Sequence, residues 1–259
     1  MTIKILIAFL FLFSTICSFG QTYYSRNGAP GITGAGANWA TNTTWSTTGH
    51  GGGPSVGLGA TIGAGVTVII AQGHRVNRNG SITVSGGTCS GNPAPNTQTG
   101  GGNIIINGTL TSNNQLIVQR GKVFVSATGV ATFQSNVGDL EMNLNCGDIE
   151  NRGVFNYDGR VKIDGNCTNN PWTYPAGAAT APATINVIAA GPSITNSSTG
   201  TFNIGDELDT GSNPRCGQVY NSGQMNAKKV HNDAYFCNNG TLKLGTFQPS
   251  PYGPQAGQG

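Results

Sequence analysis

Outside one apolar run at its start, the chain alternates apolar and polar residues in short bursts. Val161 and Ile163 flank Lys162, Leu242 and Leu244 flank Lys243, Met142 and Leu144 flank Asn143, and Phe202 and Ile204 flank Asn203. A period of two places one set on each face of a strand, so the apolar set is predicted to point inward and Lys or Asn outward. No segment after residue 20 carries a sustained stripe of period 3.6 with capping signals, so helices are not expected.

The bursts are introduced by a recurring phrase in which Asn, and then Gly within a few positions, precede the alternation. It occurs at Asn107-Gly108-Thr109-Leu110, Asn151-Arg152-Gly153-Val154-Phe155, Asn221-Ser222-Gly223-Gln224-Met225 and Asn239-Gly240-Thr241-Leu242. Asn196 to Gly200 is a looser copy, and Gly129-Val130-Ala131 lacks the Asn. The marking glycines are Gly108, Gly129, Gly153, Gly200, Gly223 and Gly240. Their spacing is nearly even except for the step from Gly153 to Gly200, which is close to two repeats, and the shorter last step to Gly240. Self-similarity at such a period signals stacked supersecondary units. Units of about 21 to 24 residues made of short strands and Gly/Asn corners predict an all-β fold, a right-handed parallel β-helix or β-solenoid with successive coils about 4.8 Å apart. The alternative is a β-sandwich or propeller, whose turn spacing is similar. Gly and Asn at the corners are expected to supply left-handed turn conformations.

The cysteines have the same spacing. Cys146 to Cys167 is one repeat, equal to the step from Gly108 to Gly129, and Cys216 to Cys237 is the same step again. Residues one coil apart would lie within disulfide reach, so Cys146–Cys167 and Cys216–Cys237 are predicted bridges, with differently paired or buried thiols as the alternative. Cys89 is left over, in a Gly- and Pro-rich stretch, either as a free thiol or paired with another chain.

The initial apolar run, Ile5 to Phe13 after Lys4, has the form of a signal peptide. Small residues at Ser18 and Gly20 suit cleavage after Gly20. Polar Ser14, Thr15 and Ser18 interrupt it well short of the roughly 20 residues of a membrane span, and no later segment is long enough. The expected division is a signal peptide over 1–20, a Gly-rich N-terminal cap over 21–59, the solenoid over 60–247 and a Pro/Gly/Gln-rich tail over 248–259. A secreted or cell-surface location follows, with no transmembrane segment after cleavage.

Charge narrows the function. Only 9% of residues are charged, against roughly 25% in ordinary domains, and the net charge of +3 comes from scattered cations. Nucleic acid is thereby excluded as a partner. Every acidic residue lies at or after Asp139. Glycosidase chemistry needs two carboxylates facing one groove, and Asp139 with Glu141 and Asp148 with Glu150 each share a strand face. The same pairs are candidates for Ca²⁺ ligands through oxygen, or for a solvated outer face. Cys and His show no zinc spacing. Gly49-His50-Gly51 and Arg160-Val161-Lys162 echo polygalacturonase elements but lack the accompanying aspartate cluster, so no catalytic residue is assigned. Trp172 and Tyr174, in a Pro-flanked stretch where one glycine mark is missing, are candidates for stacking on a sugar ring or for folding back over the coils. Trp39 and Trp45, with Tyr23 and Tyr24, are expected to plug the N-terminal end.

Tyr23-Tyr24-Ser25-Arg26, Asn38-Trp39, Thr44-Trp45-Ser46, Gly73-His74-Arg75-Val76 and the Asn-x-Gly-Thr-Leu phrases together resemble secreted surface proteins of the type IX secretion cargo kind. The resemblance implies a β-solenoid surface or adhesin-like rod. The chain departs from it after Gln248, where Pro249-Ser250-Pro251-Tyr252-Gly253-Pro254 stands in place of the usual β-sandwich sorting domain. The expected function is a non-catalytic structural or adhesin-like protein meeting extracellular glycan, cell-surface or matrix components. A polysaccharide lyase, a glycosidase or a carbohydrate-binding module is the alternative.

Overall fold

The computed structural model describes residues 20–87, 101–135, 140–164, 193–210, 218–232 and 235–245, leaving aside the side chains of Asp164 and Tyr235. Among them there is no α-helix. A single 3₁₀ turn, Asn42–Thr44, accompanies short strands arranged in two large sheets.

The strands fall into three stacks, and a pass of the chain visits them in turn. The first stack holds Thr22–Ser25, Thr67–Ile70, Asn103–Ile106, Lys122–Val125, Asp148–Asn151, Ser193–Asn196, Gln218–Asn221 and Tyr235–Asn238, each parallel to the next. The second begins at Ala37–Asn38 and continues through Arg75–Arg78, Thr109–Ser112, Val130–Phe133, Val154–Tyr157, the start of Thr201–Asp209, the start of Gln224–His231 and Thr241–Leu244. The third runs from Thr61–Ile62 through Ile82–Val84, Leu116–Gln119, Leu140–Asn145 and Gly159–Asp164. It joins the second through the far end of Thr201–Asp209, which pairs with Val161 and Lys162 beyond an irregularity between Ile204 and Glu207.

Alternation does what the sequence predicts except in the last strand, Thr241–Leu244, where no further pass among the described residues covers the edge, Leu242 is only half-buried and Leu244 is 50% exposed. Val68, Ile104, Val123, Ile149, Ile194 and Val219 point inward from the first stack and are at most 1% exposed; they belong to one continuous core with Leu110, Phe155, Phe202 and Met225 of the second and Val118, Leu144 and Ile163 of the third. At about 25 cal/mol per Å² of apolar surface removed from water, this column of side chains is the main favourable term. Phe155 stacks on Phe202 at 4.6 Å between ring centroids and on Phe133 at 5.7 Å.

Each marking glycine immediately precedes a second-stack strand, and the register partners Thr109, Val130, Val154, Thr201, Gln224 and Thr241 repeat the glycine steps. Two expectations are corrected here. The long step from Gly153 to Gly200 is one register step and not two, because Val154 pairs directly with Thr201. Nor do the marking glycines serve left-handed turns: none has positive φ. They lie against the preceding pass, where a Cβ at Gly129 would strike the carbonyl oxygen of Ile106 and one at Gly153 the carbonyl oxygens of Ser126 and Gly129. The positive-φ glycines lie instead mostly between Gly28 and Gly86.

The 21–59 segment is part of the stacking, since Thr22–Ser25 and Ala37–Asn38 pair in parallel with the pass above. It then covers its own edge: Trp45–Ser46 pairs antiparallel with Thr22–Ser25, and Ser55–Val56 with Trp45–Ser46. Trp39 and Trp45 are fully buried there, edge-to-face at 4.9 Å, with the Trp39 indole donating to the Gly59 carbonyl (2.9 Å) and the Trp45 indole to the Trp39 carbonyl (2.7 Å). Tyr23 packs against the core, half-buried. Covering an edge in this way removes a template for unwanted strand addition.

Candidate functional site

Parallel register brings together side chains far apart in sequence, and the outward faces of the stacks carry the chain's chemistry. On the first stack, Lys122 is opposite Asp148, and Asp148 opposite Ser193. Phe124, Glu150, Thr195 and Tyr220 form the neighbouring column. Glu150 accepts from Lys122 Nζ at 2.9 Å and from Arg152 Nη2 at 2.6 Å, and the Arg152 guanidinium lies 5.2 Å from the Phe124 ring centre. Burial pushes the Glu150 carboxyl up, but the bonds to Lys122 and Arg152 outweigh it and hold the group below its ordinary range. Asp148 has the opposite balance. Burial raises it, and the Ser193 hydroxyl donating at 2.6 Å, with Lys122 nearby, offsets only part of the rise.

The third stack presents a second face. Glu141 is opposite Arg160, Lys162 opposite Asp209, Glu207 opposite Lys229, and Asp209 opposite His231. Arg160 is the hub. It is paired with Asp209, reaches Glu207 at 3.3 Å and lies 3.9 Å from Glu141. Lys229 Nζ is 3.2 Å from Glu207. The Asp209 and Glu207 side chains are only 6% and 12% exposed, so these two carboxylates are largely withdrawn from solvent, while Arg160, Glu141 and Lys229 around them stay partly exposed.

The structure therefore splits the predicted acidic set. Glu141 lies on the third stack, while Asp148 and Glu150 lie on the first, in a different sheet, so the three do not converge. Asp139, Trp172, Tyr174, Cys89, Cys167 and Cys216 lie outside the described residues. Among the described residues, no group of three or more His, Cys, Asp or Glu is arranged to hold a metal ion.

Cys146 is disulfide-bonded, to a partner outside the described residues. Cys237 carries a free thiol, so the expected bridge from Cys216 to Cys237 is not made. The last pass is shorter than the others: Cys237 is opposite Tyr220, and Cys216 precedes that register partner, so a bridge placed by the usual repeat is out of step there.

Two polar arrays were not read from the sequence. Asn151, Asn196, Asn221 and Asn238 form an amide ladder, each Nδ2 donating to the next Oδ1 at 2.8, 2.8 and 2.6 Å. The same Nδ2 atoms of the first three donate across the corner to the carbonyls of Thr201, Gln224 and Thr241, each at 3.0 Å. The first three are at most 1% exposed. The recurrence of Asn before Gly was the available signal, although at the last rung it is Asn238 and not Asn239 that joins. The second array lies at the covered end, where Ser25 Oγ is 2.7 Å from His74 Nδ1 and His74 Nε2 is 2.7 Å from Asn27 Oδ1. The connectivity is that of a nucleophilic triad, but Ser25 is fully buried and its Oγ accepts the Ala71 amide at 3.0 Å, so no substrate reaches it. Comparison with family models, with curated proteins and with solved structures finds no match to this chain.

Proposed function

We propose that the chain is an extracellular, cell-surface or matrix rod of the right-handed parallel β-helix type, structural or adhesin-like and non-catalytic. The observation that carries the reading is the pairing of its outward carboxylates. Glu150, Glu207 and Asp209 each hold a cation on an adjacent pass or beside them on the strand, and Glu141 faces Arg160. A general acid or base needs a free proton-transfer site aimed at substrate, and these oxygens are occupied. Paired charges across passes add lateral cohesion along a stack, as suits a rod. The three-stack order with parallel pairing favours a β-helix over a sandwich, whose sheets are antiparallel. The apolar run after Lys4 and the resemblance to type IX cargo support export, and Cys146–Cys167 and the Trp172/Tyr174 pair stand as parts of the same reading.

One observation favours a polysaccharide-active alternative. Asp148 is raised and Glu150 lowered on one strand face, the polarity of an acid and a base. Glycan-array binding combined with a reducing-sugar release assay separates the two. The rod binds without releasing sugar. Turnover that is lost in Asp148→Asn, Glu150→Gln, Asp139→Asn or Glu141→Gln overturns it.

A further inference from the structure

The His74 cluster is built from three parts of the chain. Ser25 and Asn27 come from the first pass, His50 from the loop that follows the buried Trp45, and Ala71 and His74 from the turn of the next pass. Asn27 N also donates to the His50 carbonyl at 2.7 Å, and Thr109 N to the His74 carbonyl at 2.8 Å. The bond network assigns the proton. Asn27 Oδ1 only accepts, so His74 Nε2 carries hydrogen; Nδ1 then accepts from the Ser25 hydroxyl, whose oxygen receives the Ala71 amide. His50 Nδ1–H donates to the Ser25 carbonyl at 2.7 Å, and the His50 ring stands edge-on to His74 at 5.8 Å and to Tyr24 at 5.1 Å. His50 is the titratable group facing His74; Ser25, Asn27, Ala71 and Thr109, the other partners named here, are uncharged.

The Ser25 hydroxyl can donate to the ring only when His74 is neutral. A second ring proton would displace the Ser25 hydroxyl hydrogen from its bond to Nδ1 and set a positive charge against the edge-on His50 ring.

We propose that Ser25, Asn27, His50 and His74 form an acid-labile latch, which holds residues 26–59 over the edge of Thr22–Ser25 and releases that edge when the surroundings acidify. Burial first, then His50, lower His74 below its ordinary 6.5, against a smaller opposing effect of the Ser25 backbone. A lowered histidine contributes stability that is complete above 6.5 and is lost as pH falls below it, because the opened state binds the proton more readily.

Hydrogen exchange of the full chain, corrected for the intrinsic pH effect, tests this between pH 7.5 and 5. Exchange over residues 22–50 should rise severalfold relative to residues 130–157 as the pH falls, because the opened state takes up the proton more readily. His74→Gln should abolish the rise, and His50→Gln, which removes one of the two effects that lower His74, should make it smaller. Equal rises in both regions, or an unchanged rise in His74→Gln, would overturn the latch. If His74→Gln fails to fold, ring-nitrogen NMR of the wild type decides. A neutral His74 protonated at Nε2 at pH 6.5 is expected, and an imidazolium there refutes the proposal.

Discussion

Replacing Asn196 with alanine removes the central rung of the amide ladder. Its Nδ2 bonds Asn221 Oδ1 and the Gln224 carbonyl, and its Oδ1 accepts from Asn151. Asn151 keeps the Thr201 carbonyl as an acceptor, but Asn221 Oδ1 loses its donor while remaining 1% exposed. One unsatisfied buried acceptor costs about 1–3 kcal/mol, and the loss of the Gln224 bond adds about 1 kcal/mol. We expect about 3 kcal/mol in all, or a melting point lower by about 6–12 °C for a domain of this size. Urea unfolding followed by circular dichroism, with calorimetry alongside, measures both. The same column is Ile70, Ile106 and Val125 in the passes below, so its geometry accepts an apolar residue. Replacing Asn151, Asn196 and Asn221 together by valine should therefore cost less than the sum of the single changes, with a coupling of about 1–2 kcal/mol per neighbouring pair. A loss below about 1 kcal/mol for Asn196→Ala, within the ordinary worth of one hydrogen bond, or strict additivity across the ladder, would refute the reasoning.

Gly153→Ala forces a methyl onto the Ser126 and Gly129 carbonyls and should destabilise by about 1–3 kcal/mol, as overpacking does, while Gly28→Ala, with open space around it, loses only the smaller strain of its positive φ; paired denaturation curves compare them. Arg160→Met takes the guanidinium from Asp209 and leaves Glu207 with Lys229, and because Arg160 is itself partly exposed it should cost about 1–3 kcal/mol, as urea unfolding would show. Asp148→Asn keeps the Ser193 donor and removes a carboxylate that burial disfavours. Because that group is raised, its charged form penalises the folded state at neutral pH, so the variant should equal or exceed the wild type in stability at pH 7 and lose the difference near pH 3.5. Glu150 runs the other way: its lowered carboxyl contributes stability above 4.5 that disappears as the pH drops, and Lys122→Ala should flatten that part of the profile.

The repeat was legible because each pass buries the same few positions. Val154-Phe155 and Thr201-Phe202 carry the same alternation after a glycine that must lie against the pass beneath, and their register follows. The long glycine step was misread because spacing alone cannot distinguish an extra pass from a longer connection between two neighbouring ones. The charge network was invisible for a related reason. Arg160 meets Asp209 from far along the chain, and only the register through Lys162 and the irregularity after Ile204 brings them together. The Asn residues were recognised as corner chemistry, but their inward turn and mutual bonding depend on the column they share. Cys237 was misassigned because the usual period was extended into a shorter pass, in which Tyr220 is its register partner.

The central claim is that one repeat is one pass, stacked in parallel on the last. Amide–amide nuclear Overhauser contacts in a deuterated sample test it most directly. The account predicts contacts linking the strands around Ala131, Phe155, Phe202 and Met225 in that order, including across the long interval from Phe155 to Phe202. Close α-proton pairs in a protonated sample, the mark of antiparallel neighbours, between any two of these strands would contradict it.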